Sequence, residues 1–243
     1  MNYEQNIPFY IYKFKDYPWK IYESEHYIFH VEEKSLAESN IDAIKIRQES
    51  AYVKITEKLK LTSLGKKIIY YFYLSQEKKA ELMGDGWYGQ SIYNEFIVHA
   101  VYNEKNKVVG EHEDTHLLSL ELGLPISLFQ EGLAEFMVGR SMFDNDHNTI
   151  IRSRVNRGLL VDLKKLMSQK GWLDTPDDEA EFFYSIAGSF VAYIYESFGL
   201  ELFKKIYSVM DRKNTKEENI TLLESLTGQK VTDMETLWYK NIP

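Results

Sequence analysis

Histidine and glutamate stand at a spacing that suits a metal ion in His112-Glu113-Asp114-Thr115-His116. On a helix of about 3.6 residues per turn, positions four apart lie one above the other, so the two imidazoles can converge on one ion. Neutral imidazole nitrogens suit zinc, and a carboxylate one residue along can hold and deprotonate a water at the metal. A catalytic zinc site needs a third protein ligand and a fourth position left to water. After a turn at Gly123 and Pro125, the stretch Gln130-Glu131-Gly132-Leu133-Ala134-Glu135 opens a second helix. Glu131 is the expected third ligand. Glu135, one turn further on the same face, could accept a hydrogen bond from the far ring nitrogen of a ligand histidine. The chain has no cysteine, so the expected single Zn2+ is held by nitrogen and oxygen alone.

These two segments resemble the gluzincin metallopeptidases, in which H-E-x-x-H is followed on a later helix by a glutamate ligand. More closely they resemble the small bacterial peptidase-MA-like proteins, whose third ligand commonly sits in an E-G-L-A-E segment. The run YSIAGSFVAYIYESFG at 184–199 is similar to that family's Y-x-x-A-G-S-F-V-x-Y-L-x-x-x-Y-G helix. Thr227-Gly228 followed by Met234-Glu235-Thr236-Leu237-Trp238 is similar to its C-terminal end. The resemblance covers roughly residues 65 to 240 and implies a zinc peptidase acting on a peptide or protein, with Glu113 as general base. It further implies that residues 95–102 form an edge strand that holds extended substrate by β-addition. From that strand His99 could assist the substrate carbonyl. Gluzincins commonly stabilise the oxyanion with a tyrosine or histidine, which makes Tyr184 the candidate here. Asp114 departs from the uncharged residues usual between the two histidines. The alternatives are a zinc-binding pseudoenzyme or peptide-binding domain without turnover, and an interaction domain that binds no metal.

The elements that must position these residues follow from composition and periodicity. With 44% apolar and 14% aromatic residues in 243, the chain is long enough to bury a core. Its 29 basic and 37 acidic side chains leave a formal charge of −8, which argues against a nucleic-acid backbone as partner. No apolar run is long enough for a membrane span. The first twenty residues lack the basic, apolar and small-residue succession of a secretory signal, so the location expected is cytoplasmic; a chain with its export or lipid-anchor segment removed would read the same.

Alternation of aromatic and β-branched residues predicts strands at 9–14 and 20–31. His26 and His30 then share one face, as surface or cross-strand residues rather than a second metal site. Apolar spacing predicts a helix over 35–60 that covers the sheet. The run KIIYYFY at 67–73 predicts a central strand, and 75–83 a short helix. The glycine-rich turn at 84–89 lacks the spacing of a phosphate loop. The metal helix is expected over 107–122 and is stopped by Gly123. Residues 141–157 read as a polar connection in which His147 is solvated; Asp144, Asp146 and Asn148 lack the glycine and closing glutamate of a calcium loop. Helices follow at 159–169 and 182–198, then from a capping box at Thr215 and Glu218 to Gly228, and at 233–238. The expected fold is α+β and, by the resemblance, zincin-like. It reads as one catalytic domain over 1–243, with an α/β part at 1–123 carrying the H-E-x-x-H helix and a helical part at 124–243.

Overall fold

The computed structural model describes residues 13–62, 65–141 and 143–242. The strand expected at 9–14 lies largely outside them; Lys13–Asp16 form a 3-10 turn with Phe14 buried. The fold is α+β, with a five-stranded mixed sheet. The chain divides into two compact units, Met1–Leu117 and Leu118–Pro243.

The first unit is built on the sheet. Strand β1 (Lys20–Glu23) pairs antiparallel with β2 (Tyr27–Val31). The chain then crosses through α1 (Leu36–Ser39) and α2 (Ile41–Leu59) to β3 (Ile68–Tyr73), which runs parallel to β2. Helix α3 (Gln76–Met83) starts on the Ser75 hydroxyl and stops at Gly84, whose φ of +94° is the left-handed geometry glycine takes without strain. Strand β4 (Gly89–Ile92) pairs antiparallel with β5 (Ile97–Val101), and β5 lies parallel to β3. The spatial order is β1-β2-β3-β5-β4.

That order corrects one expectation. Residues 95–102 do not supply the edge strand: β5 is paired on both sides and all five of its residues are buried. The edge on this side of the sheet is β4, whose sequence Gly-Gln-Ser-Ile lacks the β-branched alternation that marks strands in sequence. The pair His26 and His30 is also resolved. His26 precedes β2, bonds Glu49 through Nδ1 at 2.6 Å and stacks on Tyr52, while His30 stacks on Tyr71.

Helix α4 (Glu111–Leu118) passes into a 3-10 turn at Ser119–Leu122 and stops at Gly123. It begins four residues later than the periodicity suggests. Tyr102 bridges Lys107, Val108 donates to the Val101 carbonyl, and Gly110 has φ +101°, so residues 107–110 are spent leaving the sheet.

The second unit is helical among the described residues. Helix α5 (Ser127–Val138) packs along α9 (Ala180–Val209), a long helix broken at Gly199, where φ is +77°. Between them run α6 (His147–Val155), α7 (Leu163–Leu166) and α8 (Gln169–Leu173). The capping box of Thr215 and Glu218 starts α10 (Lys216–Thr227), and α11 (Val231–Asn241) brings Trp238 into the core. The connection expected at 141–157 thus contains a helix, capped by Asp146 through the Thr149 amide. No helix among the described residues is long and apolar enough to cross a membrane.

Candidate metal centre

Helix α4 carries the H-E-x-x-H motif and is fixed to the sheet by its other face. Asp114, between the two histidines, is fully buried. Its Oδ1 accepts from the Tyr70 hydroxyl at 2.6 Å, and its Oδ2 from the Tyr27 hydroxyl at 2.6 Å and the Gln48 amide at 3.0 Å. Burial pushes Asp114 up to about 7, against the pull of the two tyrosine hydroxyls. The charge that breaks the sequence pattern therefore meets donors from β2, β3 and α2. One turn earlier, buried Glu111 pairs with Arg47 and with Lys54 at 2.9 Å, both from α2. Thr115 closes the turn by donating to the Glu111 carbonyl at 2.6 Å.

With Asp114 turned inward, the positions two before and two after it present His112 and His116. Their rings sit edge to face with centroids 5.0 Å apart. His116 is buried, and His112 and Glu113 are half-buried. The Glu113 carboxylate meets strand β4: the Ser91 hydroxyl lies 2.7 Å from its Oε2.

In the second unit, Glu131 is half-buried on α5 and Glu135, one turn on, is buried. Two glycines let α5 and α9 approach. A Cβ at Gly132 would lie 2.6 Å from the Ala187 carbonyl oxygen, and one at Gly188 would lie 2.7 Å from the Glu135 Cβ. Contrary to the expectation of a solvated ring, His147 is buried beside Glu135. Its Nδ1 is 3.1 Å from the Ser185 hydroxyl and its Nε2 3.5 Å from Glu135 Oε2. An isolated histidine in a polar stretch gives no sequence signal of that burial; the N-cap Asp146, which starts the helix, is the nearest hint.

One ligand atom from each of His112, His116 and Glu131 lies within 4.8 Å of the others, a group able to hold a metal ion. Two imidazoles and a carboxylate form a nitrogen and oxygen set of the kind that holds divalent transition metals. Tyr184, on α9, is half-buried with its ring edge to face against Trp172 at 5.5 Å.

His99 lies elsewhere. It is 0% exposed within β5, takes a 2.7 Å hydrogen bond at Nδ1 with the Tyr73 hydroxyl, and packs between Phe14 and Tyr71. Burial lowers it to about 3. An enclosed, neutral ring of this kind belongs to the aromatic core and offers nothing to a substrate carbonyl. Compared with known proteins, the chain matches no family model and no curated protein.

Proposed function

We propose that this protein is a zinc-dependent metallopeptidase of gluzincin type. The reading is carried by the convergence of His112, His116 and Glu131 on one position, with Glu113 beside the two histidines in sequence. Zinc, when bound, supplies Lewis acidity for the substrate carbonyl and acidifies water there. Glu113 takes the proton from the attacking water and delivers it to the leaving amine. By the family resemblance, Glu135 would be the residue to orient a ligand histidine. Tyr184 donates to the developing oxyanion. The substrate lies extended along the sheet edge, which is β4 rather than β5, so that backbone pairing sets its register.

The pseudoenzyme alternative rests on Asp114. That carboxylate is occupied by Tyr27, Tyr70 and Gln48, and its charge is absorbed by the sheet side of the helix.

The test is metal content by mass spectrometry on untagged protein, beside His116→Ala and Glu113→Gln, followed by cleavage of a peptide library. The expected outcome is about one zinc per chain in the parent and in Glu113→Gln, none in His116→Ala, and cleavage by the parent alone. A parent that takes up no zinc after reconstitution, or takes it up and cuts no peptide, would overturn the proposal.

A further inference from the structure

The edge strand does more than border the sheet. Residues of β4 alternate in direction, and Gly89 and Ser91 face Glu113. A Cβ at Gly89 would stand 2.3 Å from Glu113 Oε1, so at this residue a side chain would displace the carboxylate. Ser91 Oγ lies 2.7 Å from Glu113 Oε2 and 3.2 Å from the Glu113 carbonyl oxygen. Its one proton goes to the nearer, charged oxygen, where the bond is stronger. On the opposite face, Gln90 accepts from Lys79 Nζ at 3.2 Å.

Lys79 is 0% exposed, an unusual place for an ammonium, and it also pairs with Asp85. Asp85 Oδ1 in turn accepts from the Trp87 amide at 3.1 Å. A buried cation thus ties α3, the 84–88 turn and β4 into one unit. A strand whose sequence has little intrinsic β preference is held in place by a charge beneath it.

From this arrangement we infer that β4 is a clamp for the Glu113 carboxylate, with Ser91 as a positioning residue, Gly89 as the space it requires and Lys79 as the anchor. Ser91 fixes one carboxylate oxygen, Oε2, while the other, Oε1, lies over the space that Gly89 leaves open. The inference rests on the peptidase reading for its consequence and on the geometry of the first unit for its substance. A carboxylate free to rotate would share its time between productive and unproductive orientations, which lowers turnover without changing how substrate binds.

The experiment compares Ser91→Ala, Ser91→Thr and Gly89→Ala with the parent. It reads bound zinc, melting temperature, kcat and KM on a cleaved peptide, and the Glu113 side-chain position in zinc-loaded crystals. Ser91→Ala is expected to keep one zinc and its melting temperature, to hold KM within about twofold, and to lose about tenfold to a hundredfold in kcat, with Glu113 rotated or spread over two positions. Ser91→Thr, which keeps the hydroxyl, is expected to restore most of the kcat. Gly89→Ala is expected to move Glu113 even if it folds less well. Unchanged kcat and an unmoved Glu113 in Ser91→Ala would overturn the inference while leaving the peptidase reading intact. A parent that binds zinc and cuts nothing would overturn the peptidase reading, and the Glu113 position in the variants would then decide the clamp by itself.

Discussion

At the scale of single residues, Asp114 and His99 show how burial reassigns a polar side chain. Asp114 satisfies three buried donors at once. Asp114→Ala would take the acceptor from the Tyr70 hydroxyl and the Gln48 amide and leave Tyr27 only the Gln48 carbonyl, and is expected to cost about 3 kcal/mol. Urea denaturation would measure it, and a loss under 1 kcal/mol would count against this anchoring. His99 predicts a pH dependence. Its pKa falls from 6.5 to about 3 on folding, through burial, so only the unfolded chain takes up a proton here between those values. Stability is therefore intact above pH 6.5 and declines as pH drops toward 3, by about 1.4 kcal/mol per unit from this residue. In His99→Gln that part of the decline disappears. The stability gap between parent and variant should narrow by about 2 kcal/mol from pH 7 to pH 5, and an unchanged gap would refute the assignment.

At the scale of elements, the helices are set by small residues as much as by apolar stripes. Gly132 and Gly188 lie where α5 and α9 touch. A methyl group at 132 would press on the backbone of Ala187 as well as on Val191, and backbone cannot step aside as a flexible side chain can. Gly132→Ala is expected to destabilise by about 1–3 kcal/mol and to weaken zinc binding, because Glu131 is its neighbour on α5. Thermal melts and a zinc titration would check both effects; a neutral result would mean that the helices have slack at this crossing. The same closeness accounts for the two sequence stretches E-G-L-A-E and A-G-S-F-V, whose glycines face the partner helix rather than solvent.

At the scale of the whole molecule, an ion held by the folded protein and not by the unfolded chain must raise stability. Zinc at about a thousand times its dissociation constant adds about 4 kcal/mol. Treatment with a chelator is expected to lower the melting temperature by several degrees, and restored zinc to reverse it; identical melts would argue that no ion binds the native state. Much of this organisation is legible in the sequence because it rests on local periodicity. The central strand at 68–73, helix α2 and the capping box at Thr215 follow from residue spacing and cap chemistry. The edge strand, the late start of α4 and the burial of His147 do not. Each depends on hydrogen-bond pairing that side-chain periodicity does not encode: β5 for β4, Val101 for Val108, and, 38 positions away, Ser185 for His147. Ser91 belongs with them, since no spacing rule links position 91 to position 113.

The cluster of donors around Asp114 also bears on how such a chain can change over time. Tyr27, Gln48 and Tyr70 come from three separate elements and share position 114 as acceptor, although the Tyr27 hydroxyl also reaches the Gln48 carbonyl at 3.0 Å. A drift of Asp114 to an aliphatic residue would strand the Tyr70 hydroxyl and leave Tyr27 only the Gln48 carbonyl, and a drift of either tyrosine to leucine would strip donors from a carboxylate sealed away from water. These positions should therefore vary as a set across descendants of this sequence. Chains with an uncharged residue at 114 are expected to carry phenylalanine or another non-donor at 70, and the replacement should be neutral only when made together.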